Sequence, residues 1–580
     1  MVRHWFHTRR IFRTEFNRNI INRESMASPS PFLSLPREIR DKIYEHYLTV
    51  PGGYVCDPDR FAASAMARTE EQPDFSIVGV LKGADGQPID LNLSYTCRLV
   101  ASEMHGLALR TNTITFSTVT SDELRILAQC FQSAKVSHVD GYREGMSYYA
   151  VQYMPDKVFD ELKLKYPPFI PVLERMRSEK EADCFMVTDM KRKGPYGEAM
   201  SLWSDFLKEV VQSVLPLDPD HKFVHRYWTE SGGSVTDDPP EEVARTILRS
   251  IDMIECPLTH WAIPADHVMN ADELAKGLLS DRVRMKRDRI KYRFSAAAAA
   301  VLFLQSLGNG RCAHLRKIVL HEDHESVVHP QRHGLGLIPF CQQNPRLFVQ
   351  RRVDLWKNAL QYDSRWNMIP MARYMDKFHL PSDWGIISSD VSHIIHRWVK
   401  EALALAPAGM PANSFSLIFD GQPIPHLATQ IFQSTLQRDV TWQLAWEESV
   451  RRGIIAEPPL FRGEAWSDWY PGYYFRGFPQ AMKDIADQKS VVQCNFDVGE
   501  PWNVERMVQD HMDWNAQKWA EQMREGHEPK LWETVPPLPT WRSVLEENLV
   551  PIPDGPYLPY GDSDSDIDFP SSSDSDSDSD

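Results

Sequence analysis

From Pro36 to Leu48 the apolar residues Ile39, Ile43, Tyr47 and Leu48 recur at helical spacing, which predicts a short amphipathic helix with one apolar stripe. Ser34 is placed to cap it, Pro36 fits a first turn that needs no amide hydrogen, and Thr49 to Gly53 ends it. Residues 97–109 read as a second helix, and the alternation of Ile114 to Val119 reads as a strand. Between them, Pro51 to Asp90 is rich in Gly, Pro and Asp, the composition of a long loop or a small hairpin around Ala84, Asp85 and Gly86. From Ser121 onward a helix followed by a strand recurs: 122–131 with 136–139, 296–307 with 315–320, and 391–405 with 415–419. The separations are irregular, so a solenoid of fixed period is not expected. The expected fold class is α/β and mainly helical, with a small helical N-terminal module ahead of a larger mixed body.

At 580 residues, 42% of them hydrophobic, the chain can bury more than one core. Its eight cysteines are scattered without any Cys-x-x-Cys pair, which favours a reducing compartment, cytoplasmic or nuclear, over secretion. The longest apolar run, Ala296 to Leu304, is too short to span a bilayer, so no membrane is expected. The Arg-rich first 27 residues have the composition of a mitochondrial presequence as the alternative address, or form a basic extension ahead of a second start at Met26. Half of the formal charge of −16 comes from the aspartates between Asp562 and Asp580, and what remains is mild for so large a body.

The stretch Leu35-Pro36-Arg37-Glu38-Ile39-Arg40-Asp41-Lys42-Ile43-Tyr44 resembles the opening of an F-box, in the form found in F-box-like fungal proteins. Thr96-Cys97-Arg98, then Glu103, then Asn112-Thr113 leading to Phe116, resemble the second half of that unit. The chain differs from an ordinary F-box in the forty or so residues, 51–90, that separate the two halves, and in lacking a Trp after Cys97-Arg98. The resemblance implies an intracellular interaction protein, an F-box-type substrate receptor for ubiquitylation. It would contact a Skp1-like adaptor through Leu35, Pro36, Ile39, Ile43 and Leu48 and hold an unknown protein with its body. The rival expectation is an enzyme without a familiar motif, or a structural protein in which the F-box-like unit only helps folding. A cleft with convergent titratable groups would favour the enzyme, and an exposed apolar stripe on residues 36–48 the adaptor-binding protein.

The domain organisation expected is a basic extension over 1–27, the F-box-like module over 28–120 with its insertion at 51–90, a body over 121–550 with breaks near 229–240 and 406–411, and a tail over 551–580. That Ser/Asp tail cannot bury enough apolar surface to fold. Its Ser563, Ser565, Ser571, Ser573, Ser575 and Ser577 each have an aspartate three residues on, as acid-directed kinases require.

No catalytic residue and no cofactor is assigned. His321, His324, His329 and His333 crowd one span but lack the spacing of a helical zinc pair, so no metal is expected. Gly308-Asn-Gly310 matches a dinucleotide loop only in letters, because it follows a helix and leads into a strand; Gly308 is better placed as a C-cap. The basic run Arg282 to Arg293 suits a solvated helix face, and nucleic acid is not expected as a partner. The tryptophans after Thr441 are expected to be core, with the loop Trp466 to Phe475 as the place where they could form a recognition surface.

Overall fold

The computed structural model of the chain describes residues 30–77, 79–178, 198–230, 239–269, 290–361, 386–456, 474–525 and 531–551. The N-terminal extension, Arg282 to Arg289, Trp466 and Trp469, and the six tail serines lie outside the described residues.

Within them the chain is mainly helical α/β. Its strands are β1 (Tyr54–Cys56), β2 (Leu81–Gly83), β3 (Ile114–Ser117), β4 (Lys317–Glu322), β5 (Phe348–Asp354), β6 (Ile386–Ile387), β7 (Phe415–Asp420), β8 (Val492–Cys494) and β9 (Leu531–Trp532). Seven of them form one sheet in the order β2, β1, β3, β4, β5, β7, β8. All its neighbours are parallel except the β1–β2 edge pair. The parallel strands therefore follow one another across the sheet in chain order. Right-handed crossovers in a sheet of that order put the crossover helices on one face.

Burial along the strands agrees. Ile114 and Phe116, Ile318 and Leu320, Val349 and Val353, and Leu417 and Phe419 point to one face and are buried. There Phe303 of the helix Ala296–Leu307 lies 5.4 Å from the Phe116 ring. Trp398 of the helix Ser388–Ala404 stacks on the Arg351 guanidinium at 5.0 Å. The helix Ala296–Leu307 is apolar all round and buried, as a central helix must be. Ser295 caps it by accepting the Ala298 N–H at 2.9 Å, and Gly308 ends it at φ +71°, as its position suggests.

A second core lies between β3 and β4 in the chain, where the helices Gly141–Gln152, Asp156–Lys165, Ile170–Ser178, Met200–Val214, Lys222–Glu230 and Pro240–Glu255 pack on one another. A polar network ties this helical layer to the helices that cover the sheet. Lys135 pairs with Asp140, His260 meets Asp140 at 3.0 Å, Arg332 donates to Ser204 at 3.0 Å, and the Ser201 N–H donates to Glu401 at 2.9 Å.

Several expected boundaries shift. The strand expected at 136–139 is instead a π-helical continuation, Ser133–Asp140, of the helix Asp122–Gln132. Val136 and Val139 are three residues apart, a spacing that suits a helix as well, and so short a run cannot separate the two periods. The helix expected over 97–109 is two, Arg98–Glu103 and Leu107–Thr111, broken by Gly106 at φ +71°. Residues 51–90, read as a loop or a hairpin within the module, supply β1, the helix Pro58–Met66 and β2, the edge of the body's own sheet. The first helix begins at Arg37 after Pro36, while Ser34 donates to the Pro31 carbonyl instead of capping it.

Candidate functional site

The residues that carry the F-box resemblance hold one another. The Glu103 carboxylate accepts from Arg40 at 2.6 Å and from the Tyr44 hydroxyl at 2.7 Å, and it pairs with Arg37 at 3.0 Å. The Arg40 hydrogen bonds hold its carboxyl down at about 2. Asn112 donates to the Leu48 and Ala108 carbonyls, at 2.8 and 2.9 Å, and accepts the Val50 N–H at 2.9 Å. One amide thus closes the end of the first helix onto the third and onto the strand that follows. Tyr44, Leu48, Val100, Met104 and Leu107 fill the small core of this unit.

Of the five residues expected to meet a partner, Pro36, Ile39 and Ile43 are exposed, with Ile39 at 43% and Ile43 at 37%. Leu35 is half-buried, and Leu48, only 2% exposed, faces inward and belongs to the core of the unit. Leu99 and Tyr95 of the same unit are also exposed, at 49% and 79%. Isolated exposed leucines and isoleucines are ordinary; this unit of about fifty residues exposes four large apolar side chains.

A second feature was not read from the sequence. On the side of the sheet away from the helices, Thr115, Val319 and Gln350 form one row, and Ser117, His321, Arg352 and Ile418 the next, by register. A cleft of about 430 Å³ opens here. Thr115, Val319, His321, Gln350 and Arg352 line it from the sheet, and Val50, Gly52, Gly53 and Thr111 to Thr113 from the N-terminal unit. Gly53, at φ +76°, cannot be replaced simply, because a Cβ there would fall 2.3 Å from the Thr113 carbonyl oxygen.

At the C-terminal end of this face Arg352 pairs with Asp420 at 2.7 Å, and Asn495 donates to the same carboxylate at 2.6 Å. Loss of solvent and the Arg352 cation hold the His321 imidazole below its ordinary range. Burial lifts Asp354 to about 6, although it accepts N–H groups of Trp356 and Lys357 at 2.8 and 2.7 Å. These groups can donate and accept hydrogen bonds to a ligand laid across the strands. Burial pushes the Cys56 and Cys341 thiols up to about 12, far from a reactive thiolate.

The four clustered histidines part company. His333 is buried between the Ser295 hydroxyl at 2.6 Å and the Val328 carbonyl at 2.9 Å, His324 meets Glu547 at 3.1 Å, His321 lines the cleft, and the His329 ring lies 6.1 Å from His260. Among the described residues no group of three or more His, Cys, Asp or Glu is placed to hold a metal ion, and no helix is long and apolar enough to cross a membrane. Trp442, Trp446, Trp514 and Trp519 pack together around Ala445 and Val508, whereas Trp502 is 44% exposed. Of the basic run, Arg293 is buried on Asn548 at 2.8 Å. No family model, curated protein or solved structure matches the chain.

Proposed function

We propose that this chain is a protein-interaction receptor that docks a Skp1-like adaptor on its N-terminal helical unit and holds a client protein on the open face of its sheet, as a substrate receptor for ubiquitylation does. The observation that supports it is the exposure of Ile39 and Ile43 on a helix whose other face is fully engaged by Glu103 and by its own small core. A helix that served folding alone would bury that stripe. The cleft adds to the reading, since its polar groups are hydrogen-bonding side chains spread over several strands, as a surface that holds a peptide needs.

The test is a titration of the full chain with a purified Skp1-like adaptor, repeated with Ile39→Ser and Ile43→Ser together. Because both side chains are exposed, stability should change by no more than about 0.5 kcal/mol each. Binding should weaken at least about tenfold, the loss expected of interface anchors. A wild-type chain of normal melting temperature that fails to bind adaptor at micromolar concentrations ends the ubiquitin-ligase reading.

A further inference from the structure

The N-terminal edge of β4 and β5 gathers basic side chains with Glu45 as the nearby counter-charge among the described residues; Arg316 donates to the Ala313 and Leu315 carbonyls at 3.0 and 2.7 Å rather than to a carboxylate. Arg316 directly precedes β4, and its carbonyl accepts the N–H of Phe348, the first residue of β5, at 2.9 Å. Arg346 stands two residues before that same Phe348. His314, in the turn ahead of β4, meets the His105 ring edge-on at 5.1 Å. It lies over Gly106, where an added Cβ would come 2.3 Å from the imidazole. The glycine that breaks the second helix is thus also the seat of this ring. Arg110 belongs to the short helix Leu107–Thr111 that follows.

Among the described residues the one carboxylate within ion-pairing distance of these groups is Glu45, 3.9 Å from Arg110, with both side chains about half exposed. The charged neighbours acting on Arg316 are Arg346 and Arg110, and those acting on His314 are His105, Arg316 and Arg110. After desolvation, these like charges are what push both groups below their ordinary values. Arg40 and Arg452, by contrast, lie on carboxylates, Glu103 for the one and Glu448 and Glu505 for the other. Like charges drawn together from three separate segments raise the local potential and cost stability unless an anion shares the site.

From this arrangement we infer that the N-terminal edge of β4 and β5 is an oxyanion site that takes a phosphoryl group between Arg110, His314, Arg316 and Arg346. Guanidinium groups offer paired N–H donors that match phosphate oxygens, and a dianion neutralises more than one of them at once. A long polyanion fits less well. Following the strands for about 20 Å, at about 3.3 Å per residue, it would run onto Asp354 and Asp420 at their far ends. The inference does not depend on adaptor binding. The phosphoryl group can belong to a free phosphate compound or to a phosphoserine on a peptide, which share the same chemistry.

The experiment uses the full chain and calorimetric titration with inorganic pyrophosphate, with an acidic phosphoserine peptide and with its unphosphorylated form. The same titrations are run on Arg110→Gln with Arg346→Gln, two exposed side chains that accept replacement without unfolding, and each melting temperature is measured. Binding of at least one phosphorylated probe below about 1 mM is expected, weakened at least about tenfold in the double variant, with the unphosphorylated peptide much weaker. Pyrophosphate binding alone assigns the site to a free phosphate compound, and a peptide that binds more tightly than pyrophosphate assigns it to a phosphorylated protein. Absence of binding by both phosphorylated probes, or binding that the double variant leaves unchanged, overturns the inference, as does equal affinity for the unphosphorylated peptide.

Discussion

Replacing Arg351 by Met should cost far more than its position on a half-polar strand suggests. Arg351 is 1% exposed; its guanidinium donates to the Glu322 carboxylate from Nε at 2.9 Å and to the Pro330 carbonyl from Nη2 at 2.7 Å, and Nη2 is also in ion-pair contact with that carboxylate at 2.7 Å. Glu322, fully buried on the neighbouring strand, also accepts the N–H groups of Ala296 and Ala297 at 3.0 and 3.2 Å, at the start of the central helix. Two strands and a helix N-terminus therefore share one carboxylate. In Arg351→Met the methionine fills much of the space and lies beside Trp398, but the carboxylate keeps only two backbone donors and the helix dipole. A buried charge left without its partner costs about 3–5 kcal/mol, and the helix terminus returns about 1 kcal/mol of that. The net expectation is a loss of about 2–4 kcal/mol, read from the urea midpoint at pH 7 with an unchanged slope. The second arm is Glu322→Gln combined with Arg351→Met, which removes both charges and should cost clearly less than the sum of the single changes. A loss below about 1 kcal/mol in the single variant, or strict additivity in the cycle, would refute the claim that these two charges act as a unit.

Acid should weaken the fold before most carboxylates protonate. Burial, the largest cause in each case, holds the His260 and His393 imidazoles down at about 3 and those of His333 and His396 well below the usual range. Below about pH 6.5 the unfolded chain takes up protons that the folded chain does not, so these groups contribute fully above that pH and less as pH falls, by up to about 1.4 kcal/mol per pH unit for each. Asp354, lifted to about 6, and Glu198, also raised by burial, act in the opposite direction, but they are two groups against four. A urea midpoint at pH 5 equal to that at pH 7 would contradict this. Gly106→Ala should lower stability by more than about 1 kcal/mol, since it combines φ +71° with a Cβ 2.3 Å from the His314 ring. His314→Ala in the same background should relieve part of the loss, and thermal melts of both variants decide it.

What the chain shows of itself is what neighbouring residues can settle. Residues 37–48 and 296–307 are helices because their apolar spacing, the Ser295 cap and the Gly308 stop are all local. β4 and β7 lie within two residues of their expected places because a short apolar run bounded by turns is local too. Arg40, Tyr44, Glu103 and Asn112 could be singled out by resemblance, but their purpose, to tie three short helices through one carboxylate and one amide, is set by the fold. β5 escaped notice since Phe348 to Asp354 carries three charges, and the fact that Arg351 faces inward while Arg352 faces outward rests on a partner, Glu322, that lies on another strand. Strand order was equally out of reach. Parallel pairing joins segments by register rather than by adjacency, and about two hundred residues of chain separate β3 from β4. The cleft between the sheet and the N-terminal unit, and the cationic edge formed by Arg110, His314, Arg316 and Arg346, exist only once those distant segments stand side by side. Periodicity reports that one side of an element is buried; which other element buries it is decided by the packing of the whole chain.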